Sequence, residues 1–344
     1  MKKTLLILAC CLISHLAQAE DDSKYVEYWV PGVSRESGWK DVNKEMTEDD
    51  RKHEIYTGDS HLCWAAAASN VGAWWQDYNA SHLVNYQDGI PQGEQNIFNA
   101  FNNAFINDGF HEYWGLRWFM DGAPEMYEPY DPAVPEDTPA SWIMDPARTE
   151  NGGYYNGIVA DLVSTSVVQG EMQIVMDEEY GQIVMDVLPL ADFSDLLVNA
   201  VSSGGVALGI VGDVPGEGPY GHAITLWGVK VNKDTNLIES MWVTDSDDLV
   251  TFEQDLELFE LKCYPTTKTQ EIYTGEEREY QVYSFEDTLP EGGKRWYAGA
   301  DGYNEYIDSF AVLRANVQWT VPEPATGTLG LVALAALAAR RRRK

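Results

Sequence analysis

Cys63-Trp64-Ala65-Ala66-Ala67-Ala68-Ser69-Asn70-Val71-Gly72-Ala73-Trp74-Trp75 is the stretch that decides how this chain of 344 residues reads. Four successive alanines are strong helix formers. They present almost no side chain, so a helix built from them can pack very close to a neighbour. Asp59-Ser60 immediately upstream can supply an N-cap. The expectation is a buried helix starting at or just before Cys63. A cysteine at a helix N-terminus faces outward-pointing N–H groups and the positive end of the helix dipole. Both favour thiolate over thiol, and the same N–H groups can receive an oxyanion. Free cysteine is also among the most buried residue types, so the residue alone does not choose between packing and chemistry.

The second informative stretch lies far downstream. His222-Ala223-Ile224-Thr225-Leu226-Trp227-Gly228-Val229-Lys230-Val231 alternates like a strand and follows a Gly/Pro-rich loop, 212–221. His222 would open that strand where it emerges toward a cleft. Asn232-Lys233-Asp234 reads as a turn, and Met241-Trp242-Val243-Thr244 as the return strand, ending in Asp245-Ser246-Asp247-Asp248. A carboxylate on an adjacent strand can accept from the second N–H of an imidazole, fixing its tautomer and favouring imidazolium. Asp245 and Asp247, two residues apart, project to one face if the strand persists. A solvated strand end or a cation site is the bland reading of the same acids. Cys63, then a His 159 residues later, then a polar partner 23 after that, follow the papain-type order. There the His and its orienting residue come roughly 130–150 residues after the Cys.

Between these stretches, Glu94 to Asn107, 158–168 and 192–203 read as helices, the last with Asp192 and Ser194 as plausible caps. Gln173-Ile174-Val175-Met176-Asp177 recurs as Gln182-Ile183-Val184-Met185-Asp186 around Tyr180-Gly181, which implies a local hairpin. Val206 to Val211 and the regions near 270–284 and 308–319 read as strands. A helical first half and a strand-rich second half indicate an α+β architecture. No linker interrupts 20–320, so the body reads as one domain.

The ends are addresses. Lys2 and Lys3, the short apolar run Leu5 to Ile13 and Ala17-Gln18-Ala19 make residues 1–19 a signal peptide. Ile7-Leu8-Ala9-Cys10 resembles a lipobox, the competing reading. At the other end, Val321-Pro322-Glu323-Pro324, the apolar run Ala325 to Ala339 and Arg340 to Arg343 resemble a PEP-CTERM sorting signal over 321–344. That resemblance implies transient membrane association through the tail, cutting by an exosortase after signal peptidase, and a secreted or cell-surface protein of a Gram-negative bacterium. A simple tail anchor is the bland alternative. Export leaves Cys63 and Cys263, either paired or with one thiol kept for chemistry. Seven of the 23 basic residues and one of the 55 acids lie in the two ends, leaving the body 16 basic against 54 acidic residues. A field of that sign repels phosphate backbones, which argues against nucleic acid as a partner. The aromatic content, 12 Trp, 19 Tyr and 10 Phe, demands burial and argues against disorder.

Together, the Cys63–Trp75 block, the His222–Gly228 strand and Trp242–Asp247 resemble the IdeS/Mac family of secreted cysteine endopeptidases, whose best-known members cleave immunoglobulin G at the hinge. Gly38-Trp39-Lys40-Asp41-Val42-Asn43-Lys44 is similar to the family's segment bearing an oxyanion-hole lysine. The resemblance implies a papain-like fold with the Cys-bearing helix packed on a C-terminal antiparallel sheet. It implies Cys63 as nucleophile, His222 as general base and acid, Asp245 as its orienter, Asp247 as a supporting carboxylate and Lys44 at the oxyanion. No cofactor or metal is called for. The substrate implied is an extracellular protein, an immunoglobulin among the candidates. The alternative is a non-enzymatic binding module using Trp114, Trp118 and Trp142 to hold a glycan or protein.

Overall fold

The computed structural model describes residues 24–42, 44, 59, 61–84, 89–107, 109–122, 152–155, 162–168, 171–175, 183–184, 189–214, 218–246, 258–271, 277–287 and 305–315. Both address segments, Asp247 and Trp142 lie outside them. Four helices occur among the described residues: α1 (Cys63–Tyr78), α2 (Glu94–Ala104), α3 (Glu112–Asp121) and α4 (Leu190–Ser203). The strands are β1 (Tyr25–Trp29), β2 (Leu162–Val168), β3 (Glu171–Val175), β4 (Ile183–Val184), β5 (Gly204–Val214), β6 (Gly218–Asn232), β7 (Leu237–Thr244), β8 (Phe259–Glu271), β9 (Glu277–Asp287) and β10 (Tyr306–Arg314). The mixed α+β class expected from the sequence is what these elements form.

One antiparallel sheet runs β1-β6-β7-β8-β9-β10-β2-β3-β4. β5 pairs with both β6 and β10, so the sheet bends back on itself. The hairpin expected from the repeated Gln-Ile-Val-Met-Asp appears as β3 against β4, with Gln173 opposite Ile183. Two expectations about these elements fail here, one for β2 and one for α4. Residues 162–168 are a strand and not a helix: Leu-Val-Ser-Thr-Ser-Val-Val is rich in β-branched residues, which lose side-chain freedom in a helix and fit a pleated sheet. Pairing with β10 on one side and β3 on the other settles it. Among the expected caps of α4, neither Asp192 nor Ser194 serves. Pro189 occupies that position, and the Ser194 hydroxyl donates back to the Leu190 carbonyl. Asp192 sits in the first turn, where its charge suits the positive end of the helix.

The alanines of α1 do what their size allows. Ala65 to Ala68 are wholly or almost wholly buried, and α1 packs against β5 and β6 on one side and α2 and α3 on the other. Where α1 meets α3, a Cβ added at Gly115 would come within 3.0 Å of the Trp64 ring. Trp64 is fully buried and meets Phe101, Phe105 and Phe110 edge to face, with ring centroids 5.1–5.6 Å away. Trp64→Ala should therefore cost about 3–5 kcal/mol of stability in urea unfolding. A loss below about 1 kcal/mol would show that this aromatic cluster is not the core of the helical layer. Trp118 belongs to the same cluster and is fully buried, which takes it out of any surface binding face. Trp114 is half-buried beneath the Arg117 guanidinium.

Candidate active site

α1 begins at Cys63 because the chain turns tightly just before it. The Leu62 N–H donates to the Asp59 carbonyl, and the Ala66 N–H to the Leu62 carbonyl. Leu62 is therefore the N-cap, without a side-chain cap bond, in place of the expected Asp59-Ser60; Ser60 lies outside the described residues. Cys63 is half-buried at the mouth of a cleft of about 290 Å³. Cys63 and Cys263 are both free thiols. Cys263 is buried in β8, and burial, then the charges of Glu239 and Glu260, push its thiol far up.

His222 lies five residues along β6, not at its start. β5 and β6 keep pairing from Val206↔Leu226 out to Val214↔Gly218, because backbone hydrogen bonding holds the Gly- and Pro-rich residues in strand geometry. His222 faces Ile210 in this ladder, is 8% exposed and lines the cleft with Cys63. β7 runs beside β6 with Thr225 opposite Thr244, so Asp245 emerges next to the imidazole. Asp245 is fully buried, and its Oδ1 lies 2.9 Å from His222 Nε2. Burial works against the imidazolium, but the Asp245 carboxylate, its hydrogen bond, and a hydrogen bond with the Cys63 side chain outweigh it. The His222 pKa is raised well above its ordinary value. With Nε2 committed to Asp245, Nδ1 is the nitrogen left to face Cys63.

Lys44 is buried, and its backbone N–H donates to the Ser246 carbonyl at 3.3 Å, one residue beyond Asp245. The structure thus brings together Cys63, His222, Asp245 and the Lys44 segment. Asp247 lies outside the described residues. The sequence reading missed the groups that hold this arrangement. The Thr244 hydroxyl accepts from Trp227 Nε1 at 2.9 Å and donates to the Lys40 carbonyl at 2.8 Å, tying the Lys44 segment to β7. The Lys40 ammonium pairs with Asp77 of α1 at 2.6 Å. Asn70 Nδ2 donates to Thr225 Oγ1 at 3.0 Å, joining the Cys63 helix to the His222 strand. A lone Asn inside the small-residue block was the available signal. Phe110, His111 and Glu112, from a region with few periodic signals, line the same cleft, together with Asp308 and Ser309 of β10.

One measurement reads this electrostatic contrast directly. At neutral pH, iodoacetamide should alkylate Cys63 at least roughly tenfold faster than Cys263, because only Cys63 has an imidazolium beside it. Equal, slow labelling of the two would remove the case for an activated thiol.

Residues 12–108 match the sequence model of the family described as Mac 1. That span holds Lys44 and Cys63 but not His222 or Asp245. Residues 320–344 match the PEP-CTERM protein-sorting motif, which indicates export to the surface in Gram-negative bacteria. A curated relative, the "IgM protease" of Streptococcus suis (strain P1/7), is 22% identical over 242 residues, 65% of this chain. The chain spans only about a fifth of that relative's length, 19%. These matches support the family resemblance and the sorting signal read from the residues. Among the described residues no helix is long and apolar enough to cross a membrane.

Proposed function

We propose that this chain is an exported cysteine endopeptidase acting on an extracellular protein. The observation that carries the reading is the His222 imidazole, bonded at Nε2 to buried Asp245 and lining one cleft with Cys63, whose side chain helps to raise the His222 pKa. The Mac 1 match around Cys63 and the protease named by the Streptococcus suis relative support it. Cys63 thiolate attacks the peptide carbonyl, and the carbonyl oxygen becomes an oxyanion. The amide at Cys63 and the Lys44 ammonium hold that charge, as the family resemblance suggests. His222 gives its proton to the leaving amine, and the C–N bond breaks to a thioester. Water then loses a proton to His222 and adds to the thioester. Collapse releases the carboxylic acid and restores the thiolate–imidazolium pair. Asp245 holds the ring in place throughout, and Asp247 is assigned a supporting charge.

In the same reading, residues 1–19 are removed by signal peptidase and 321–344 by an exosortase, leaving the peptidase domain at or beyond the cell surface. The substrate is an exposed protein segment, and immunoglobulins are the first candidates because the relative is named for one. The test is incubation of the mature protein with immunoglobulins and a mixed set of folded proteins, with new termini mapped by mass spectrometry. Cleavage by the wild type and not by Cys63→Ala is the expected result. Cleavage by both would end the assignment.

A further inference from the structure

We propose that Glu112 and Asp308 form an acidic subsite of the Cys63 cleft that takes a lysine or arginine side chain within two residues of the scissile bond. This rests on the peptidase reading and names the substrate class that reading leaves open.

The two carboxylates share the cleft with the nucleophile. Cys63 and His222 line one part of it, and His111, Glu112, Asp308 and Ser309 another. A peptide carbonyl held at Cys63 therefore places a neighbouring side chain among these groups. Among the described residues, no lysine or arginine lines the cleft. Cys63 and His222 as an ion pair carry no net charge, so this end is negative.

Glu112 is a buried acid turned to a ligand-sized space. It is 3% exposed. Oε1 accepts from the Ser309 hydroxyl at 3.1 Å. Oε2 lies 3.6 Å from His111 Nδ1, beyond hydrogen-bond range. That nitrogen also accepts the Tyr113 N–H at the start of α3. His111, when protonated, is thus a charged neighbour of Oε2, and a cationic side chain entering the cleft would add a second one. The backbone is shaped around this acid. A Cβ at Gly209 would fall 2.3 Å from Ser309 Oγ and 3.3 Å from Glu112 Oε1, so only glycine lets the carboxylate lie on the sheet. A Cβ at Gly221, also in the cleft wall, would meet nothing within 4 Å, which leaves room for an incoming chain.

Asp308 is aimed by an irregularity in its strand. The β10–β5 register slips between Ile307 and Ser309, leaving Asp308 as the extra residue of a bulge, a device that redirects a side chain. Burial first, then the charge of Glu112, raises its carboxyl to about 6, with His111 pulling the other way. Two carboxylates that repel each other beside a nucleophile gain most from a guanidinium, whose fork can meet both.

The experiment uses peptides from a digested proteome, cleaved by the mature protein, with the new termini sequenced. Lys or Arg should be favoured over Leu at one fixed position within two residues of the cut, by roughly tenfold. In Asp308→Asn and in Glu112→Gln that preference should fall toward parity. Asp308 is only half-buried and its replacement is isosteric, so this variant reports even if Glu112→Gln folds poorly. Cleavage with no basic preference, or with the same preference in both variants, overturns the subsite and leaves the peptidase reading standing. No cleavage of any peptide while Cys63 still alkylates rapidly overturns the peptidase reading, and the subsite with it.

Discussion

Replacing Cys63 with alanine is expected to lower cleavage of any substrate by about 10⁴-fold or more, the scale seen when a covalent nucleophile is removed from a triad. Among the described residues no neighbouring group is placed to take over. His222 is held to Asp245 through Nε2, and the other thiol, Cys263, is buried in β8 away from the cleft. The change should leave the fold intact, because Cys63 is only half-buried and alanine already fills the next turns of α1. A urea midpoint within about 1 kcal/mol of wild type, alongside the lost activity, is the paired result that identifies chemistry and not collapse. Residual proteolysis at wild-type rate would mean that another group attacks the carbonyl.

The second large effect belongs to Asp245. Asp245→Ala removes the charge that outweighs burial at His222. The imidazole then becomes neutral at pH 7, the thiolate loses its partner, and cleavage should fall by roughly 10³-fold or more. Alkylation of Cys63 at pH 7 should slow in parallel. The pH dependence of stability gives an independent sign. In the wild type the His222 pKa is raised above its ordinary value. Its ionisation therefore stabilises the fold fully below about pH 6.5, and that contribution is lost as pH rises through the raised value. In Asp245→Ala burial, the largest cause and one that lowers the pKa, is opposed only by the Cys63 side chain, so the variant should lose the low-pH stabilisation that the wild type shows. Melting temperatures across pH 5 to 9 check this. Parallel curves for the two proteins would mean that Asp245 does not set the charge on His222.

Much of this site could be read from residue order because its parts have strong local signatures. The alanine run announces a close-packed helix at Cys63. The alternation after His222 and the turn at Asn232–Asp234 announce the hairpin that delivers Asp245. What stayed hidden depends on distant partners. Leu162–Val168 looked helical until β10 and β3 supplied pairing on both sides. The strand around His222 runs on through residues whose composition signals a loop, because β5 holds them. Thr244 and Asn70 act through single hydrogen bonds to residues 204 and 155 positions away, and no local pattern encodes such a bond. Glu112 and Asp308 are two acids among 54 in the body, brought together only when β10 lies beside β5.

Under the proposed function, the returning sheet also sets when a growing chain becomes able to cut. The strand carrying the imidazole follows the sulfur by more than 150 residues. β5, which backs that strand, is held on its far side by β10, almost the last described segment. A chain still emerging from the ribosome, or threading outward with its end inside the cell, holds a thiol without the ring that ionises it. Under the proposed function, hydrolytic competence waits until β10, more than 240 residues after Cys63, has been made and paired with β5.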